Sequence, residues 1–103
     1  MSQPNPTSQK VSVSITPEVE AGVFANFVGV WHQADCFVLD FQTYTRPPQL
    51  GQDPDGNTYV DVATRVVSRV RIPPGQVFEI MKALEQQLSA WERETGATRP
   101  DPA

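Results

Sequence analysis

The chain has one cysteine, one histidine and a shortage of positive charge, and each scarcity removes a class of function. A single cysteine, Cys36, excludes an intrachain disulfide. Cys36 and His32 are the only soft ligands in the chain, too few for a structural zinc site, so no metal is expected. Eight Lys and Arg against twelve Asp and Glu leave a net charge of −4, which argues against bulk attraction to nucleic acid or an anionic lipid surface. No apolar run approaches the roughly 20 residues of a membrane span. The opening MSQPNPTSQK has neither the basic start nor the apolar stretch of a signal peptide. The expected setting is therefore a reducing, bacterial-type cytoplasm. There is no glycine-rich phosphate cradle and no convincing nucleophile–base pair, so neither enzyme activity nor a cofactor is expected.

What is present reads as a single small domain. The polar leader 1–10 and the tail 96–103 carry too few large apolar side chains to offset the entropy of ordering, so both are expected to be disordered around a folded unit 11–95. VSVSI alternates strictly, with Val11, Val13 and Ile15 on one face, and predicts a first strand. In TPEVEAG, Thr16 suits a helix cap, Pro17 a first helical position and Gly22 a stop, which predicts one helical turn or a wide turn. VFANFVGVWH predicts a second strand, and a short QAD turn leads into a third, CFVLDFQTY. TRPPQLGQDPDGNT, rich in proline, glycine and Asx residues, reads as a long mobile loop over 45–58 with a turn at DPDG. YVDVATRVVSRVRI predicts a fourth strand long enough to need a bulge or a bend. After Pro73 and Pro74, Val77, Ile80, Met81, Leu84, Leu88 and Trp91 recur at helical spacing up to a stop at Gly96. The expected class is α+β: a four-stranded antiparallel β-meander with one long C-terminal helix packed on one face.

Apolar residues occupy both faces of the VFANFVGVWH strand, a pattern that belongs to a strand covered on two sides. One helix covers only one face. The remaining cover is expected from a second copy of the chain, or from another protein, through Phe24, Asn26, Val28, Val30 and Trp31. Asn26 is the odd polar residue in this run and is expected to anchor a neighbouring backbone or to set the register of a homo-oligomer.

ITPEVEAGVFANFVGVWHQADCFVLDF and RVRIPPGQVFEIMKALEQQLSAWE together resemble a family of small bacterial proteins known as domain of unknown function 3467. The resemblance rests on an opening of the form IP-E-x-x-x-G-x-Y/F-A-N, an F-V-L-D-F strand and a proline-started helix. It implies no activity, and the extended loop 45–58 and polar ends depart from the family pattern. A similarity of architecture alone joins the chain to export chaperones built from a strand meander and a helix.

Three further groups of residues invite a chemical reading. His32, Cys36 and Asp40 share a parity across the QAD turn, but a turn intervenes, no orienting group is visible, and a small buried cysteine is the plainer account. Asp53, Asp55, Asn57 and Asp61 have calcium-loop-like intervals but lack the glycine and glutamate positions of that loop, and a turn requires the same residues. Arg65, Arg69 and Arg71 share one face of the fourth strand by alternation, with Tyr59 and Tyr44 near, a mixture able to bind single-stranded nucleic acid. Pairing of these arginines with Asp40 and Asp61 across strands is the competing account. The leading expectation is a non-enzymatic, self-associating adaptor. A nucleic-acid-binding regulator and a chaperone-like binder of apolar segments stand as alternatives.

Overall fold

The computed structural model describes residues 8–98. Of the ends expected to be disordered, 1–7 and 99–103 lie outside the described residues. The elements are α1 (Pro17–Glu20), β1 (Phe27–His32), β2 (Phe37–Tyr44), β3 (Gln49–Gln52), β4 (Thr58–Asp61), β5 (Thr64–Ile72) and α2 (Pro74–Thr95). They form an α+β fold with two antiparallel sheets, one in the order β1-β2-β5 and one of β3 and β4.

Two expectations about the strands are corrected. VSVSI is exposed and forms no strand: among the described residues nothing pairs with it. The second strand begins only at Phe27, so Val23–Asn26 precede the sheet. The four-stranded meander thus becomes a three-stranded sheet plus a two-stranded arm. The expected helical turn is present as α1, with Thr16 at its N-cap but no side-chain cap bond.

The loop expected over 45–58 is also corrected. Gln33 N–H donates to Cys36 C=O at 2.9 Å across a two-residue turn, Ala34–Asp35, and β2 runs back along β1. The β2–β5 ladder continues beyond the sheet through Thr45 N–H to Ala63 C=O at 2.9 Å. Pro47 and Pro48 have no N–H to give and interrupt it. Pairing then resumes as β3 and β4, so the supposed loop is mostly the outer half of one long hairpin. At its tip Asp53 Oδ1 accepts from the N–H groups of Asp55 at 3.0 Å and Asn57 at 2.8 Å, while Gly56 adopts φ +86°. Tyr59 lies across the bare Cα of Gly51, its partner in the register, where an added Cβ would meet the ring at 2.5 Å.

The expected fourth strand is split into β4 and β5 at Val62 and Ala63, and β5 carries the anticipated bulge. Phe41 pairs with Ser68, but Gln42 pairs with Val66, leaving Val67 as the extra residue.

The final helix matches its pattern from Pro74 to Thr95. Gly96 caps it at φ +73°, with its N–H bonded to Glu92 C=O at 2.8 Å. At about 1.5 Å per residue it is about 33 Å long. Only its first turns face the sheet. Val77, Ile80, Met81 and Leu84 stand across from Val30, Phe37, Leu39 and Ile72 and enclose a cleft of about 250 Å³. Leu88 and Trp91, farther along the apolar stripe, remain exposed.

The arm tip should depend on its own hydrogen bonds. Asp53→Ala removes two bonds to one carboxylate oxygen, each worth about 1 kcal/mol. Amide hydrogen exchange should accelerate roughly five- to thirtyfold across Gln52–Thr58 while leaving Val38–Phe41 unchanged.

Candidate interaction surface

Antiparallel partners lie on the same side of a sheet, so the register sorts the side chains into two faces. Val28, Val30 and His32 of β1 lie opposite Phe41, Leu39 and Phe37 of β2, which in turn lie opposite Ser68, Val70 and Ile72 of β5. This apolar face is turned toward α2, yet Val28, Val30 and Val70 remain exposed there. Phe27, Gly29 and Trp31 lie on the other face with Gln42, Asp40 and Val38, followed by Val66, Arg69 and Arg71. Val38, in the middle of the central strand, is the one fully buried apolar side chain among the described residues.

The centre of the second face is a polar lock. Asp40 is 8% exposed and is gripped from both neighbouring strands. Arg69 donates from Nε to Oδ1 at 2.6 Å and from Nη2 to Oδ2 at 3.0 Å, a two-pronged match of guanidinium to carboxylate. Trp31 Nε1 donates to Oδ2 at 3.1 Å, and the Arg69 guanidinium lies 5.6 Å from the centre of the Trp31 ring. The hydrogen-bonded guanidinium holds the Asp40 carboxyl below its ordinary value against the opposing cost of desolvation, with the Trp31 bond helping. The same pairing raises Arg69. A carboxylate so supplied with donors is held ionised, which suits a structural role better than proton transfer.

Gly29 makes room beside this lock. A Cβ there would come within 2.9 Å of Gln42 Nε2. Gln42 donates to Asp40 C=O at 3.2 Å and accepts from the Thr64 hydroxyl, tying β2 to β5 just past the bulge. A close approach at Gly29 is evident from a glycine among bulky residues. That the intruder is a glutamine is not.

The five residues expected to form an interface are separated by the fold. Val28 and Val30 lie on the α2 side, Trp31 on the opposite side, and Phe24 on the exposed segment before the sheet. Asn26 is exposed rather than buried. Its N–H donates to Gln42 C=O at 3.0 Å and its Oδ1 accepts from Tyr44 N–H at 3.2 Å, so it anchors a neighbouring backbone.

The expected arginine row is broken by the bulge. Arg65 pairs with Thr43 and Arg69 with Asp40, residues on opposite faces, because the extra residue Val67 reverses the alternation. Arg69 is taken by Asp40, and Arg71 donates to Gln33 Oε1 at 2.9 Å. Asp61 pairs instead with Arg46, at 2.8 Å.

The supposed trio also separates. His32 stacks on Phe37 at 5.5 Å on the α2 side, Asp40 lies on the other face, and Cys36 Sγ contacts Gln33 Oε1 at 3.5 Å. Among the described residues no cluster of three or more His, Cys, Asp or Glu is placed to hold a metal ion. Nor is any helix among them long and apolar enough to cross a membrane.

The model of a family described as a protein of unknown function, DUF3467, matches residues 1–99. No curated protein and no solved structure matches the chain.

The lock makes a signed prediction for pH. A carboxyl whose folded value lies below its ordinary 3.8 stabilises the fold fully above the unfolded value, and that contribution is lost as pH falls through the folded value. Asp40→Asn should lower Tm at pH 7 and remove part of the acid-side fall in Tm between about pH 5 and pH 2. Thermal unfolding followed by tryptophan emission measures both; an unchanged acid slope would show that Asp40 is not the group responsible.

Proposed function

Since the chain belongs to the DUF3467 family, which carries a common sequence pattern and no assigned activity, we propose on physical grounds that it is a self-associating protein-interaction module. One observation carries this reading. Among the described residues Val38 is the one fully buried apolar side chain, whereas twenty-two large hydrophobic side chains are 37% exposed or more. Contiguous apolar surface left open on this scale marks an interaction site.

Much of the exposed surface is apolar and lies on ordered elements. Val28, Val30 and Val70 on the sheet, and Phe78, Met81, Leu84 and Trp91 on α2, are all more than 40% exposed. Groups of this kind left in water forgo about 25 cal/mol for every Å² that a partner would cover. A second copy of the chain is the simplest cover, because a two-fold axis supplies the same apolar surface and closes the assembly at two. Such a dimer would leave the acidic arm free as a site for a further protein partner. Nucleic acid receives less support from this arrangement: the arginines are divided between two faces, and Asp40 engages Arg69.

Light scattering over a concentration series tests the reading. The full chain should reach about twice its mass of 11.4 kDa. Val28→Glu, which places a charge on the exposed apolar face, should cost about 3 kcal/mol or more in association, over a hundredfold in dissociation constant. A chain that stays monomeric at every concentration would refute self-association and make the apolar face a site for a different molecule.

A further inference from the structure

The three-stranded sheet has two free edges of different character. β5 carries Arg65, Arg69 and Arg71 and a bulge, the devices that keep an edge from pairing with a stray strand. β1 reads FVGVWH, with no acidic residue, lysine, arginine or proline and no bulge. The Gln33–Cys36 bond fixes which β1 backbone groups face β2. Pairs alternate from that point, so the odd-numbered residues bond to β2 and the N–H and C=O groups of Val28, Val30 and His32 point outward. An unprotected edge of this kind is a template for another strand.

The chain also contains a strand-like sequence without a sheet. Val11–Ile15 alternates β-branched residues with serine and makes no backbone hydrogen bond among the described residues. Val11, Val13 and Ile15 are 68%, 86% and 61% exposed. The connection 16–26 is long enough to fold back, yet the segment does not close on its own β1 edge. A vacant donor strand and a vacant acceptor edge therefore occur in the same chain.

We propose that Val11–Ile15 of one copy adds as a fourth strand to the β1 edge of a second copy, reciprocally about a two-fold axis. This rests on the self-association proposed above and specifies its chemistry. Main-chain bonds to Val28, Val30 and His32 supply the pairing. Val11, Val13 and Ile15 extend the apolar face carrying Val28 and Val30, while Ser12 and Ser14 fall on the Trp31 side. Because the exchange is reciprocal about a two-fold axis, the donor segment and acceptor edge of each copy are both used within the pair, and the assembly closes at a dimer.

A spin-label experiment tests the pairing directly. A nitroxide is placed on a Ser14→Cys, Cys36→Ser chain, which is mixed with an isotope-labelled Cys36→Ser chain carrying no nitroxide. Amide signals of Phe27–His32 in the labelled copy should broaden most. A dimer with broadening centred on β5 or α2, or with none, overturns the strand exchange while leaving self-association standing; a monomer overturns both. Broadening of β1 that survives when a chain carrying both labels is diluted into excess unlabelled chain would place the pairing within one copy and also overturn the proposal.

Successive N–H groups of a strand point to opposite sides, so one of Ser12→Pro and Val13→Pro removes a donor to the β1 edge whichever way the added strand runs, and at least one should raise the dimer dissociation constant about tenfold or more, whereas Ser12→Thr should not. An unchanged constant in both proline variants would refute the exchange.

Discussion

The pairing of Asp40 with Arg69 sits at the middle of the central strand, and the arrangement of the sheet is organised around it. Asp40 reaches forward to Arg69 on β5 and sideways to the Trp31 indole on β1, so one carboxylate joins all three strands. A one-residue slip in either pairing would turn Asp40 and its donors to opposite faces, exposing the apolar set and leaving a charge without its partners. Gln42, passing over Gly29 toward Thr64, adds a second polar tie near the point where the bulge ends the regular β2–β5 ladder. The polar face therefore specifies register, while the apolar face opposite supplies surface for packing.

That division explains how a chain with so small an internal core can have a defined fold. Hydrogen bonding carries the hairpins, including the arm, whose strands bury little. The apolar face is only partly covered by the opening turns of α2, and the rest of the helix stripe extends past the sheet. The apolar surface left open on these elements is what the proposed self-association would cover, and it connects the fold to that role more directly than any cluster of reactive groups.

Much of the local structure is legible in the sequence. Helical spacing from Val77 to Trp91 places α2, and Gly96 marks its end. The proline and acid after Thr16 announce α1. The site was less legible. Asp40 and the arginines are visible as possible cross-strand partners, but Trp31 as a third member follows only from the two-residue turn at Ala34–Asp35, which sets Gly29 opposite Asp40 and so places Trp31 on the same face. The arm was obscured because prolines and turn residues mask two short strands, Gln49–Gln52 and Thr58–Asp61, whose pairing depends on each other more than on their own composition.

The sequence by itself determined the elements whose signals are local: where the helices begin and end, which segments are extended, and which classes of chemistry lack the residues they need. The same holds for the strand-like alternation of Val11–Ile15, which is a property of five adjacent residues whether or not a partner lies beside them. Tertiary structure alone decided the rest. A bulge at Val67 reverses every later face assignment, separating Arg65 from Arg69, and only the pairing of β5 with β2 places that extra residue. Which face meets α2, and which edge remains open, are decided in the same way, because they depend on hydrogen bonds and packing between residues distant in the chain, where the periodicity of a single strand carries no information.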